Sequence, residues 1–229
     1  MKPKALVVLS GGLDSTVTLH VTRKRYDVEA ITFYYGQKQD AEIAMARKTC
    51  QTYNIPHTIV DISFLGDMLA GATSNVKQSN IAVPDASEVE RDSQPITYVP
   101  NRNLILLNIA VSRAEAIGAD VVFCGLQAHD EYGYWDCTPD FLERFNLTLI
   151  LNRKHPVCVE APFLHQKKDD EILELISEYG EEEAMKMLEM TLTCYNPQDG
   201  IACGKCPSCS ERLAAFRRLN LKDPIAYAA

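Results

Sequence analysis

Two groups of residues are spaced for chemistry. Ser10, Gly11, Gly12, Asp14 and Ser15 stand directly after an apolar run, residues 5–9, and open a stretch, residues 15–25, whose apolar positions recur as on an amphipathic helix. A strand that turns into a helix through glycines suits phosphate. The glycines allow backbone angles closed to other residues and let a ligand approach the main chain, while amides at the helix start point outward at the positive end of the dipole. The second group is Cys194, Cys203, Cys206 and Cys209, three of them within Cys203-Gly204-Lys205-Cys206-Pro207-Ser208-Cys209. Four thiolates close a tetrahedral zinc shell and leave no open position, so the expected metal is a structural Zn2+. The same thiolates could hold an iron–sulfur cluster.

The loop has no Gly-Lys-Ser/Thr at Walker spacing and no Gly-x-Gly-x-x-Gly. Ser-Gly-Gly-x-Asp-Ser resembles instead the pyrophosphatase (PP) loop of enzymes that split ATP between its α and β phosphates, adenylate a carbonyl oxygen and release pyrophosphate. That resemblance implies ATP with Mg2+ at Leu9, Ser10, Gly11, Gly12, Leu13, Asp14, Ser15 and Thr16, with Asp14 also catalytic. The plain alternative is a strand-to-helix turn capped by Ser10 or Asp14.

Other segments are candidates for the remainder of a site. In Tyr98-Val99-Pro100-Asn101-Arg102-Asn103, Asn101 is placed to cap a helix, and Arg102 at its start could stabilise phosphate or acyl-adenylate charge, or simply be a surface charge. Residues 129–141 carry Asp130, Tyr134, Trp135 and Asp136; carboxylates there could accept N–H donors of a heterocycle beside an aromatic face, or the aromatics could be ordinary packing. Lys167 and Lys168 follow the last expected strand, and Lys167 is the candidate for an ATP phosphate. The five histidines show no metal or triad spacing.

The elements that must position these residues read as an α/β protein. Strands are expected at 5–9, 28–35, 57–62, 120–125 and 157–161, separated by helices at 15–25, 37–54, 101–117 and up to 151, with further helices at 169–179, 181–190 and 208–219. That alternation implies right-handed crossovers and a parallel five-stranded Rossmann-like sheet, with ligands beyond its carboxyl ends. Residues 71–94 read as a long polar, mobile loop. The expected organisation is an ATP-binding α/β domain, 1–190, with a small zinc-binding helical appendage, 191–229. A formal charge of −8 disfavours a nucleic-acid partner and favours a small molecule. Lack of a membrane span or signal-like start points to the cytoplasm, where clustered cysteines bind metal rather than pair.

Residues 10–15, Tyr35-Gly36-Gln37, residues 98–103, Gly133-Tyr134 with Asp136-Cys137, Leu192-Thr193-Cys194-Tyr195-Asn196 and the terminal cysteines together resemble the 7-cyano-7-deazaguanine synthase family, over nearly the whole chain. The resemblance implies an ATP-dependent carbon–nitrogen ligase. Such an enzyme adenylates 7-carboxy-7-deazaguanine, aminates it with ammonia and converts the amide to a nitrile, on the route to queuosine. It implies substrate contacts from Gln37, Tyr98, Arg102, Asp130, Tyr134 and Asp136, zinc on the four terminal cysteines, and a homodimer. The family pattern Asp-Tyr/Phe-Ser-Gly-Tyr-Pro-Asp-Cys-Arg is altered here, where Glu131-Tyr132, Trp135 and Thr138 replace its serine, proline and arginine positions. A paralogue that conjugates the same acid to another amine, even one on a protein, is therefore the alternative. A non-catalytic zinc- and nucleotide-binding module is the third reading.

Overall fold

A computed structural model describes residues 2–88, 94–128 and 134–228. The chain runs β1 (Lys4–Val8), α1 (Leu13–Thr22), β2 (Asp27–Tyr34), α2 (Ala41–Thr52), β3 (His57–Asp61), α3 (Phe64–Met68), α4 (Arg102–Ile117), β4 (Val121–Phe123), α5 (Pro139–Leu149), β5 (Cys158–Glu160), α6 (Lys168–Tyr179), α7 (Glu181–Glu189) and α8 (Pro207–Arg218). All strand pairs are parallel, in the order β3-β2-β1-β4-β5.

The apolar runs of the central strands follow from cover on both faces. In β1, Ala5 and Val7 pack with Leu19 of α1 and with Ala46 and Cys50 of α2, whereas Leu6 packs with Leu107, Ala110 and Ala114 of α4 and with Phe141 and Phe145 of α5. Alternate side chains thus serve opposite helical layers. A third cluster joins Leu13 and Val17 to Ile172 and Leu175 of α6, Met187 and Leu188 of α7, and Phe216 of α8. Each fully buried Leu or Ile there contributes roughly 1.5–3 kcal/mol by leaving water.

The chain leaves β1 toward β2 and later returns to β4 on the other side of β1, so the loops after β1 and β4 diverge and open a crevice at the carboxyl ends. The glycine loop follows β1. Gly125 follows β4 and lies so close beneath it that an added Cβ would stand 2.8 Å from the Ser15 amide nitrogen.

Three expectations are corrected. Helix α2 begins at Ala41 rather than 37, because the Gln37 carboxamide is committed to the end of β2: its oxygen accepts from the Tyr35 amide (2.8 Å) and its nitrogen donates to the Phe33 carbonyl (3.0 Å). Residues 73–76 of the polar stretch read as mobile are pinned, and residues 89–93 of it lie outside the described residues. Val76 bridges to Gln37, and Thr73, Ser74, Asn75 and Val76 are at most 1% exposed. Asn101 does not cap α4 with its side chain; it takes φ 55, and its amide donates to the Tyr98 hydroxyl at 2.9 Å. Among the described residues no helix is long and apolar enough to cross a membrane.

Candidate functional site

The loop is held in shape by its own hydroxyls. Ser10 Oγ accepts from the Gly12 amide (3.1 Å), Ser15 Oγ accepts from the Ser10 amide (3.1 Å), and the two hydroxyls lie 3.0 Å apart. Gly11 has φ 96, and a Cβ there would stand 2.0 Å from the Glu42 carbonyl oxygen, so both the backbone angle and the space require glycine. The other support comes from far along the chain. The Leu13 amide donates to Thr193 Oγ1 at 2.9 Å, and the Leu192 amide donates to the Gly11 carbonyl at 2.9 Å. Residues just before the first cysteine ligand therefore brace the loop.

Thr193 is fixed by a buried arginine. Arg212 of α8 donates to Thr191 Oγ1 (2.6 Å) and Thr193 Oγ1 (3.3 Å), and makes a two-point pair with Asp223 at 2.8 and 2.9 Å. The sulfurs of Cys194, Cys203, Cys206 and Cys209 lie within 4.8 Å of one another, all buried. Sulfurs at ~2.3 Å from a tetrahedral ion would stand about 3.8 Å apart, so a small inward movement closes the shell. The Cys203 and Cys206 amides point at the sulfurs of Cys194 (3.2 Å) and Cys203 (3.4 Å), and the thiols of Cys194 and Cys209 hold Cys206 far below the usual thiol range. This donor set fits a metal ion.

A cavity of about 220 Å3 opens in front of the loop. On its floor Lys168 is buried, with Nζ 2.9 and 3.0 Å from the two Asp14 oxygens and 2.8 Å from Gln127 Oε1. Glu211 is 3.6 Å away. Burial works against the Lys168 charge, but Asp14, Glu211 and Glu171 outweigh it and raise its pKa. Gln127 in turn donates to Glu171 Oε1 at 2.6 Å. Glu171 is fully buried, and burial together with the Asp14 charge keeps its carboxyl protonated well above the ordinary range. Lys168 is thus a fixed cation beneath the loop.

Lys167 is a correction. It sits exposed before α6, its amide capped by Asp170 at 3.0 Å, and does not line the cavity. Neighbouring side chains at a helix start diverge, so only one of the two lysines can face inward.

The opposite wall carries Tyr35, Gln37, Gln39, Glu42, Arg102 and Asn103. Burial opposes the Arg102 charge, yet Tyr35, Asp136 and Cys137 push its pKa up. Asp136 is 2% exposed; it accepts from the Asn103 amide at 3.2 Å, and burial raises its pKa against the pull of Arg102. Burial likewise raises Glu42 to about 8, again against Arg102. Tyr98 and Asp136 line a small side pocket that shares Arg102 and Tyr134 with the main cavity. There the Tyr134 hydroxyl lies 2.6 Å from Thr97 Oγ1, and the Tyr98 hydroxyl accepts from Trp135 Nε1 at 2.6 Å. Asp130 lies outside the described residues.

Gln127, Glu171, Glu211, Gln39 and Glu42 are absent from the candidates read from the sequence, and Lys168 was named there beside Lys167 without being preferred. Lys168 had a signal in its place after the last strand. The other five are polar residues on helices or in connections, with no motif around them.

A doubly wound parallel sheet, a glycine loop at its switch point and a four-cysteine cluster that could hold a metal ion, packed against that loop, define a PP-loop nucleotide-binding α/β protein. A family model described as "Queuosine biosynthesis protein QueC" matches residues 4–220. The 7-cyano-7-deazaguanine synthase of Caldicellulosiruptor saccharolyticus is 39% identical over 225 residues, covering 98% of this chain and 95% of that one. The synthase of Pseudoalteromonas atlantica is 37% identical over 231 residues, covering 99% and 100%. The chain also resembles the U34-tRNA thiolase NcsA of Methanococcus maripaludis, at a TM-score of 0.44 and 18% identity, over 95% of this chain and 66% of that one. The chain belongs to the QueC family of queuosine biosynthesis.

Proposed function

We propose that this enzyme adenylates 7-carboxy-7-deazaguanine with ATP, aminates the acyl-adenylate with ammonia, and dehydrates the amide to 7-cyano-7-deazaguanine through a second activation. The observation that carries the proposal is the shared cavity: the glycine loop and Arg102 line it together, and Tyr134 joins it to the side pocket that holds Asp136. The names of the two synthase relatives supply the deazaguanine.

A carboxylate is a poor acyl donor until its oxygen is esterified to AMP. In this reading the departing pyrophosphate lies at the start of α1, where the helix dipole favours negative charge, and Lys168 neutralises its charge from below. Mg2+, which arrives with ATP, supplies further charge neutralisation. Asp14 holds the Lys168 ammonium at its post while the loop is empty. Arg102 holds the carboxylate and the charge that develops on it, and Asp136 with Tyr134 receives the heterocycle. The four cysteines hold zinc in a structural role, since a closed thiolate shell leaves no position for substrate. Residues 191–229 then act as a brace for the loop rather than as a second active domain. The enzyme works on free small molecules in the cytoplasm, as a homodimer.

The conjugating alternative draws its support from Trp135 and Thr138. Both have structural employment: Thr138 caps α5, accepting from the Phe141 amide at 3.2 Å, and Trp135 meets the Phe141 ring edge-on at 5.4 Å. Neither lines the main cavity, which supports ammonia as the acceptor. Incubation with the carboxy-deazaguanine, ATP and ammonium, followed by product mass, tests the reading. The nitrile is expected; absence of both AMP and nitrile contradicts it, and an acyl adduct on a protein favours the alternative.

A further inference from the structure

Gln39 is 5% exposed and lines the main cavity, yet its carbonyl oxygen Oε1 has no hydrogen-bond partner; only its amide nitrogen is engaged, donating to the Tyr35 hydroxyl at 3.5 Å. An orphaned buried acceptor is costly to the fold, and a cavity-facing one is relieved by a ligand bearing N–H or O–H. Glu42, three residues on, lines the same cavity, and its carbonyl lies directly against Gly11. The pair therefore stands between the phosphate loop and Arg102, where an acyl group held by Arg102 and activated at the loop would present its carbon.

We propose that Gln39 and Glu42 form the ammonia-binding subsite. This rests on the reaction assigned above. Gln39 Oε1 accepts an N–H of ammonia and aims the lone pair at the acyl carbon. The carbon–nitrogen bond forms, the carbon–oxygen bond to AMP breaks with its electron pair leaving on the phosphate, and the surplus proton on nitrogen passes to the Glu42 carboxylate. The groups facing Glu42 suit this exchange: Arg102 from α4 and Gln37 favour its charge, whereas burial and Asp40 disfavour it, leaving a carboxyl that trades its proton near neutral pH. Tyr35 at the end of β2, whose own ionisation burial suppresses, completes the surroundings. An acceptor this deeply buried admits ammonia more readily than an amine on a chain.

Steady-state AMP formation as a function of ammonium and of ATP tests the subsite in Gln39→Leu, Gln39→Asn and Glu42→Gln. The KM for ammonium should rise by about tenfold or more in Gln39→Leu and less in Gln39→Asn, which keeps the amide one carbon shorter, while the KM for ATP stays within about twofold. Glu42→Gln should lower kcat and flatten its pH profile near 8, and hydroxylamine, less dependent on a base, should recover part of the rate. Ammonium KM values within twofold of the parent in both Gln39 variants, or ATP KM values rising in step, would overturn the subsite. The parent protein's acid-dependent exchange of pyrophosphate into ATP, measured without ammonium, separates the two ideas: loss of exchange there overturns the assigned reaction, and with it the subsite, before any variant is compared.

Discussion

The two walls of the cavity solve opposite problems. In the loop wall Ser10 and Ser15 bond one another and the loop amides, and the Lys168 ammonium has Asp14 and Gln127 as partners, while Glu171 Oε2 beneath it has none. The far wall is held less tightly. Gln39 Oε1 is orphaned, and Glu42 and Asp136 are carboxyls whose charged forms burial disfavours. In the proposed reaction the loop wall is thus the part held in shape by its own bonds, whereas the far wall keeps hydrogen-bonding capacity for the groups of the acid and its acceptor. Preorganisation saves reorganisation at the moment of reaction; unsatisfied groups reject ligands that cannot pair with them.

The largest effect should come from breaking the loop wall at its tightest point. Gly11→Ala must change φ or displace the Glu42 carbonyl, and AMP formation should fall by about 1000-fold or more, ~4 kcal/mol of transition-state stabilisation. Next is the contrast between adjacent lysines. Lys168→Met should cost about 100-fold in kcat/KM for ATP, and Lys168→Arg less, whereas Lys167→Met should stay within about twofold in the same assay. Equal losses from both lysines would erase the floor assigned to Lys168.

Metal removal should act on the same wall from a distance. Thr193 and Leu192 brace Leu13 and Gly11, so chelation or Cys206→Ser should lower Tm by about 5–10 °C and raise the KM for ATP several-fold, read by calorimetry and steady-state kinetics. A Tm loss with an unchanged KM would show the staple to be uncoupled from the loop.

An effect on acid stability alone, with no change in activity expected, concerns a buried group remote from both walls. His20 of α1 has both ring nitrogens unpartnered, sits edge-on to Tyr53 at 4.6 Å, and burial with the nearby Arg23 charge lowers its pKa to about 3. The folded protein therefore refuses a proton that the unfolded chain accepts below about 6.5. Its share of stability is present above that value and lost as pH falls toward 3, at up to about 1.4 kcal/mol per pH unit. Denaturant titrations of His20→Phe against the parent should show a shallower acid slope in the variant.

The sheet was legible because each strand is short, apolar and flanked by a periodic helix, and the parallel order followed from crossover lengths. The four-cysteine cluster and the glycine loop were legible because the chemistry expected of them demands local spacing. What stayed hidden depends on distance: Thr193 and Arg212 act on the loop from nearly 200 residues away. Asn75 and Gln39 sit in stretches whose polarity reads as solvent-facing until the chain folds back over them. For Lys167 and Lys168 the segment was informative and the side chain was not, since one residue's rotation about a helix start decides which lysine enters.

Transfer of oxygen from a carboxylate-labelled substrate to AMP tests the central claim most directly. With 18O in both carboxyl oxygens of the carboxy-deazaguanine, adenylation followed by amination delivers one labelled oxygen to AMP, and activation of the amide delivers the other to a second AMP; mass spectrometry should find both labels in AMP and neither in inorganic phosphate. Label in phosphate with ADP as the nucleotide product, or AMP without label, would contradict the account.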